Sequence, residues 1–128
     1  MRLLLDTHAL IWWLAGDEHL SHHAQVAIAD EANVIAVSAA SAMEVATKFR
    51  IGKLPGAALL AQDFEAIVAG QGFVELPISV IHARIAGEMN IAHKDPFDRF
   101  LIAQAQVEGM TLISNEALFD SFAVNRLW

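Results

Sequence analysis

"LLLDTHALIWWL", residues 3–14, decides the fold of this chain. Three leucines run straight into Asp6, and apolar residues resume through Trp12, Trp13 and Leu14. Burying an unpaired carboxylate inside such a stretch is costly. The stretch therefore reads as a short strand over 3–5, with Asp6 at its emerging end, and a helix over 7–14. A strand that is a continuous apolar run belongs to a parallel sheet covered on both faces.

Three more short runs have this character, at 34–37, 73–76 and 111–113, and a last strand is expected over 124–128. Helical spacing of apolar residues falls between them. It predicts helices over 24–32, with Ser21 as N-cap, and over 39–50, 57–69, 78–89 and 96–108. Gly52, Pro55-Gly56, Gly70-Gln71-Gly72, the segment 90–94 and Gly109 mark the breaks. Strands alternating with helices make an α/β fold with helices on both faces of the sheet. Ligands in such folds bind beyond the carboxyl ends of the strands.

Composition agrees with one domain spanning 1–128: 55% of the 128 residues are hydrophobic and only 18% charged, enough apolar side chain for a sizeable core. No apolar run reaches the ~18 residues needed to cross a bilayer. Asp6 and His8 interrupt the apolar start, which does not read as a signal peptide. A soluble, cytoplasmic protein is the expectation. There is no cysteine, so disulfides and thiolate metal sites are excluded. The net charge of −7 argues against a broad nucleic-acid footprint. It does not exclude a nuclease whose acids gather around divalent metal.

Acids recur where strands end or helices begin. Asp6 follows the first strand, and Glu44 lies in the helix after the second. Asp95 and Asp98 open the helix before the fourth, and Glu116 lies just past it. Each has a plainer role. Asp6 suits a helix cap. Ser41-Ala-Met-Glu44 matches a capping box, whereas a helix starting at Ser38 puts Glu44 on an inner face. Asp95-Pro96 is a helix start, and Asp98 then suits the helix dipole. Ser114 could cap with Glu116 in the first turn. Carboxylates from four segments meeting at one sheet edge would repel one another unless a cation neutralised them. All-oxygen donors suit Mg²⁺ or Mn²⁺. Metal ions held this way cleave phosphodiesters with an activated water and no nucleophilic side chain.

Four stretches together resemble one family: "LLLDTHALIWWL", "SAASAMEVATKFRIGKL" (38–54), "HKDPFDRFLIAQAQVEG" (93–109) and "TLISNEALF" (111–119). The chain resembles PIN-domain proteins, specifically VapC-type toxins of bacterial toxin–antitoxin pairs, over essentially its whole length. The resemblance implies a three-layer α/β/α sandwich around a central parallel sheet of four to five short strands. It implies Mg²⁺- or Mn²⁺-dependent endoribonuclease activity, an RNA substrate, a protein antitoxin and a homodimer. The family's acids fall on Asp6, Glu44, Asp98 and, in the fourth position, Glu116. That last is a departure, since the family usually carries Asp there, and Asn115 is a competing candidate. Asp95 is an additional acid, an N-cap first and a ligand second.

Thr7 and Ser38 could hold a metal-bound water or a carboxylate, or simply cap helices. Arg99 could meet RNA phosphate or serve a structural ion pair. Trp12 and Trp13 read as core, dimer or antitoxin contacts. Lys48, Arg50 and Lys53 form a basic cluster, either flanking an RNA path or lying as solvated surface. No pair of His8, His22, His23, His82 and His93 has metal-ligand spacing, and His22-His23 reads as an exposed helix start. Two other functions compete. A phospho-accepting receiver domain would want an acidic pair after the first strand and a lysine after a late one, and finds neither. A catalytically inactive PIN-like binding domain is left open by Glu116.

Overall fold

The computed structural model describes residues 1–90 and 95–128. The opening leucines form β1 (Arg2–Leu5), and Leu3, Leu4 and Leu5 are wholly buried. They face opposite ways, as alternate residues of a strand must. Leu3 and Leu5 pack into one core with Leu10, Ile28, Val45 and Val68. Leu4 packs into a second with Leu101, Ile102, Ala105 and Phe119. Burying each leucine contributes about 1.5–3 kcal/mol. The run is continuous because both faces are covered.

From β1 the chain passes through α1 (Thr7–Ala15) and α2 (His22–Ala29) to β2 (Val34–Ser38), then α3 (Ala39–Arg50). A 3₁₀ turn at Pro55–Ala57, α4 (Ala58–Gln62) and α5 (Phe64–Gly70) lead to β3 (Val74–Leu76). After it come α6 (Val80–Glu88), α7 (Pro96–Glu108), β4 (Thr111–Ile113), a 3₁₀ turn at Ala117–Ser121 and β5 (Arg126–Leu127). The five strands are parallel in the order β3-β2-β1-β4-β5. Helices α1 to α5 supply one core and α7 the other, giving the three-layer sandwich with the expected strand count. The order runs outward from β1 through β2 to β3, then returns to β4 on the far side of β1. The switch point therefore lies between the carboxyl ends of β1 and β4, where an α/β sheet opens a crevice. Among the described residues, no helix is long and apolar enough to cross a membrane.

Several boundaries differ from the sequence reading. The helix expected over 57–69 is two helices with a break at Asp63, whose φ of −141° and ψ of 42° lie outside helical geometry. The helix expected over 24–32 begins at His22 and ends at Ala29, where Asp30 turns extended. His22 and His23 are indeed its exposed start. The last strand shrinks to two residues, since only Arg126 and Leu127 find ladder partners on β4. Residues 91–94, including His93 and most of the expected 90–94 loop, lie outside the described residues.

Two buried polar side chains tie the layers together. Gln104 lies in the apolar run of α7, accepts from the Ser38 hydroxyl at 2.5 Å and donates to the Pro77 carbonyl at 3.2 Å. His82 accepts the Ser79 N–H at Nδ1 (2.9 Å), so its Nε2 carries the proton facing Glu108, 3.1 Å away. That pair joins α6 to α7, and His82 is structural.

Candidate active site

Asp6 lies between β1 and α1, as the N-cap of the helix. Its N–H donates to the Ile113 carbonyl at 3.0 Å, continuing the ladder to β4. Its carboxylate accepts the Ala9 N–H at 2.8 Å and so caps α1. The capping role is therefore real, and it also fixes the carboxylate at the switch point. Asp6 is only 5% exposed. Burial raises its pKa above the ordinary carboxylate range. Bonds from the Ser114 hydroxyl and the Ala9 N–H, with the His8 charge, oppose that rise, and the Glu116 charge adds to it. A carboxylate in this setting favours a proton or a cation.

Glu44 comes from α3, which starts at Ser38: the Ser38 hydroxyl accepts the Ala40 N–H at 2.9 Å. The capping box at Ser41 is not formed, and Glu44 falls on the inner face in the second turn. It is 6% exposed, and both its oxygens are engaged. Thr7 Oγ1 lies 2.6 Å from Oε1 and 3.0 Å from Ser41 Oγ. A carboxylate can only accept, so the single Thr7 proton goes to Glu44 and a Thr7 lone pair faces Ser41. Lys48, one turn on, donates to Oε2. Thr7 is thus a holder of a carboxylate, the less ordinary of its two expected roles, whereas Ser38 caps a helix.

The opposite wall comes from α7 and the segment after β4. Asp95 caps α7 through the Phe97 and Asp98 N–H groups at 2.9 and 3.3 Å, with Pro96 in the first position. Asp98 follows in the first turn, half-buried above the buried Ile102 and Ala105. Arg99 donates to the Ala86 carbonyl at 2.9 Å, a tie between α7 and α6. Beyond β4, Ser114 is fully buried and its hydroxyl accepts the Glu116 N–H at 3.0 Å. Glu116 is half-buried with its charge felt at Asp6, while Asn115 is exposed.

The expected acids fall into two electrostatic groups, one of two residues and one of three. Asp6 faces Glu116, and Glu44 faces Asp95 and Asp98 across Lys48, whose ammonium senses all three. Among the described residues, no three His, Asp or Glu side chains lie close enough to hold one metal ion. The sequence reading took Ser41 and Ser114 only as helix caps, not as hydroxyls supporting the acids, and grouped Lys48 with Arg50 and Lys53. Arg50 and Lys53 are exposed, but Lys48 turns inward. Its i+4 spacing from Glu44 was the available signal. Trp12 and Trp13 are half-buried. Trp12 stacks on His19 and tilts against Trp128, and Trp13 packs on Phe73 and donates to Gln71 at 2.9 Å.

Several solved structures share this architecture. One is VapBC2 from Rickettsia felis bound to a promoter DNA fragment, with a TM-score of 0.69 at 15% identity, covering 99% of this chain and 98% of that one. Another is VapC20 from Mycobacterium tuberculosis, described as a sarcin–ricin loop cleaving toxin, with a TM-score of 0.67 at 17% identity, covering 98% and 99%. A third is a toxin–antitoxin complex from Klebsiella pneumoniae, with a TM-score of 0.64 at 23% identity, covering 98% and 96%. At these identities the likeness concerns the fold. No curated protein matches the sequence. The family model of the PIN domain matches residues 3–125 and so takes in all four acid-bearing segments. The chain belongs to the PIN-domain family.

Proposed function

We propose that this protein is a divalent-metal-dependent endoribonuclease acting as the toxin of a toxin–antitoxin pair. The observation that carries the reading is Asp6: a desolvated carboxylate at the sheet's switch point, with the Glu116 charge beside it and the Thr7-held Glu44 next along. The sequence has no cysteine, and the donor set offered by these acids is all oxygen, which suits Mg²⁺ or Mn²⁺. Asp6, Glu44, Asp98 and Glu116 would hold the metal, with Asp95 and Asn115 in lesser positions. A bound ion would supply a water of lowered pKa and stabilise the leaving oxygen of the phosphodiester. The chain's own part is to fix the donors. The α1 cap and Ser114 hold Asp6, and Thr7 holds Glu44. Asp95 orders the start of α7 on which Asp98 sits.

Structural relatives that are toxin–antitoxin complexes, and one named as a sarcin–ricin loop cleaving toxin, support an RNA substrate and a protein antitoxin. A homodimer, a single domain over 1–128 and a cytoplasmic location complete the reading. The rival is a catalytically inactive PIN domain that only binds a partner. What favours it is that no three of the described acids converge as they stand. The test is purified protein, free of antitoxin, on a panel of RNAs that includes tRNAs, with Mg²⁺ or Mn²⁺. Cleavage that EDTA abolishes and Asp6→Asn removes is expected. Undiminished cleavage by folded Asp6→Asn overturns the mechanism, and partner binding without cleavage establishes the rival.

A further inference from the structure

Glu44 and Lys48 at i and i+4 look at first like an ordinary helix-surface ion pair, worth about 0.3–0.5 kcal/mol. Three observations set this pair apart. The Glu44 side chain is 7% exposed, so its charge is not shared with water. Its Oε1 already accepts from Thr7, so with Lys48 on Oε2 both oxygens carry a donor. The ammonium is also within the field of Asp95 and Asp98, which arrive on a different helix. Lys48 therefore stands where the two acidic walls meet, the position a neutralising cation would take.

We infer that Lys48 is the tethered counter-ion of the metal-free pocket and competes with the divalent ion for Glu44 Oε2. This rests on the metal-site reading above. Two consequences follow. Without metal, Lys48 keeps Glu44 and α7 from repelling each other. With metal, the Lys48 charge beside Oε2 opposes the ion, weakens loading and sets the concentration at which the site fills. Lys48 is a positioning residue, not a catalytic one.

The experiment is Mn²⁺ titration by calorimetry of wild type, Lys48→Met and Lys48→Arg, with thermal unfolding of each in EDTA and in saturating Mn²⁺. Lys48→Met is expected to bind Mn²⁺ about three- to tenfold more tightly, as removing a unit charge a few ångströms away predicts at high effective dielectric. It is also expected to melt lower than wild type in EDTA, with the gap closing in Mn²⁺. Lys48→Arg should stay within twofold of wild type in affinity. Unchanged or weaker Mn²⁺ binding by Lys48→Met overturns the proposal, and so does an unchanged melting temperature in EDTA. Should Lys48→Met fail to fold, Lys48→Gln, which keeps a donor for Glu44 without the charge, is judged by the same two criteria. Failure of the underlying metal reading shows separately: wild type itself takes up no Mn²⁺, which overturns both.

Discussion

The two walls of the acidic crevice are built differently. The inner wall, Asp6 with Thr7 and Glu44, is part of the core: all three side chains are buried and bonded to one another or to α1. The outer wall, Asp95, Asp98 and Glu116, is half-buried and stands where helical segments begin. Buried polar groups must be satisfied by the fold itself, and the inner wall leaves no such side-chain atom unpaired. The outer acids are held by caps and turns and keep solvent access. The inner wall thus gives fixed donors, and the outer wall gives donors that can adjust.

The largest test of this contrast is catalytic. Asp6→Asn and Asp98→Asn, one from each wall, should each reduce metal-dependent RNA cleavage by more than the roughly 100-fold typical of losing an outer-shell partner. Gel assays with circular dichroism to verify folding would check it. A Asp98→Asn enzyme as active as wild type would confine the site to the inner wall. In stability the walls should separate. Thr7→Val leaves Glu44 Oε1 buried without a donor and should destabilise by about 1–3 kcal/mol in urea unfolding. Asp95→Ala removes only a cap and should lose about 1 kcal/mol. Equal losses would mean that the outer wall is as rigid as the inner.

The smallest expected effect is a gain. The folded-state pKa of Asp6 is raised, so folding binds that proton more tightly than the unfolded chain does. The resulting stability is present below the unfolded pKa and lost as pH rises through the folded one. At neutral pH in EDTA the ionised carboxylate is a burden. Asp6→Asn, which can still cap α1, should therefore melt a few degrees above wild type, about 3 °C, and the gap should shrink as pH falls towards 4. A gap that widens on acidification would reverse the assigned direction.

The inner wall was the more legible of the two. A triple leucine ending in aspartate can scarcely be anything but a buried strand reaching an edge, and Asp95-Pro96 with Gly109 bracketed α7 by cap chemistry alone. The break at Asp63 was not legible, because no proline or glycine stands there and the apolar spacing runs on through it. Nor was the inward turn of Lys48, because a lysine between Thr47 and Phe49 reads as surface until its neighbouring helix is in place. Gln104 was hidden for the converse reason: a lone amide in an apolar run gives no sign that it will bridge Ser38 and Pro77.

The central place of β1 has a kinetic consequence. Leu3, Leu4 and Leu5 pair with Ile35, Ala36 and Val37 on one side, but on the other with Thr111, Leu112 and Ile113, almost the full chain away. Contacts so distant in sequence close slowly, because the loop entropy is lost before the contact is gained. The Asp6 cap on α1 and the Thr7–Glu44 bond need only the first half of the chain, whereas Ser114 and Glu116 reach Asp6 only through β4. The complete acidic site therefore depends on the longest-range pairing of the sheet, that of β1 with β4.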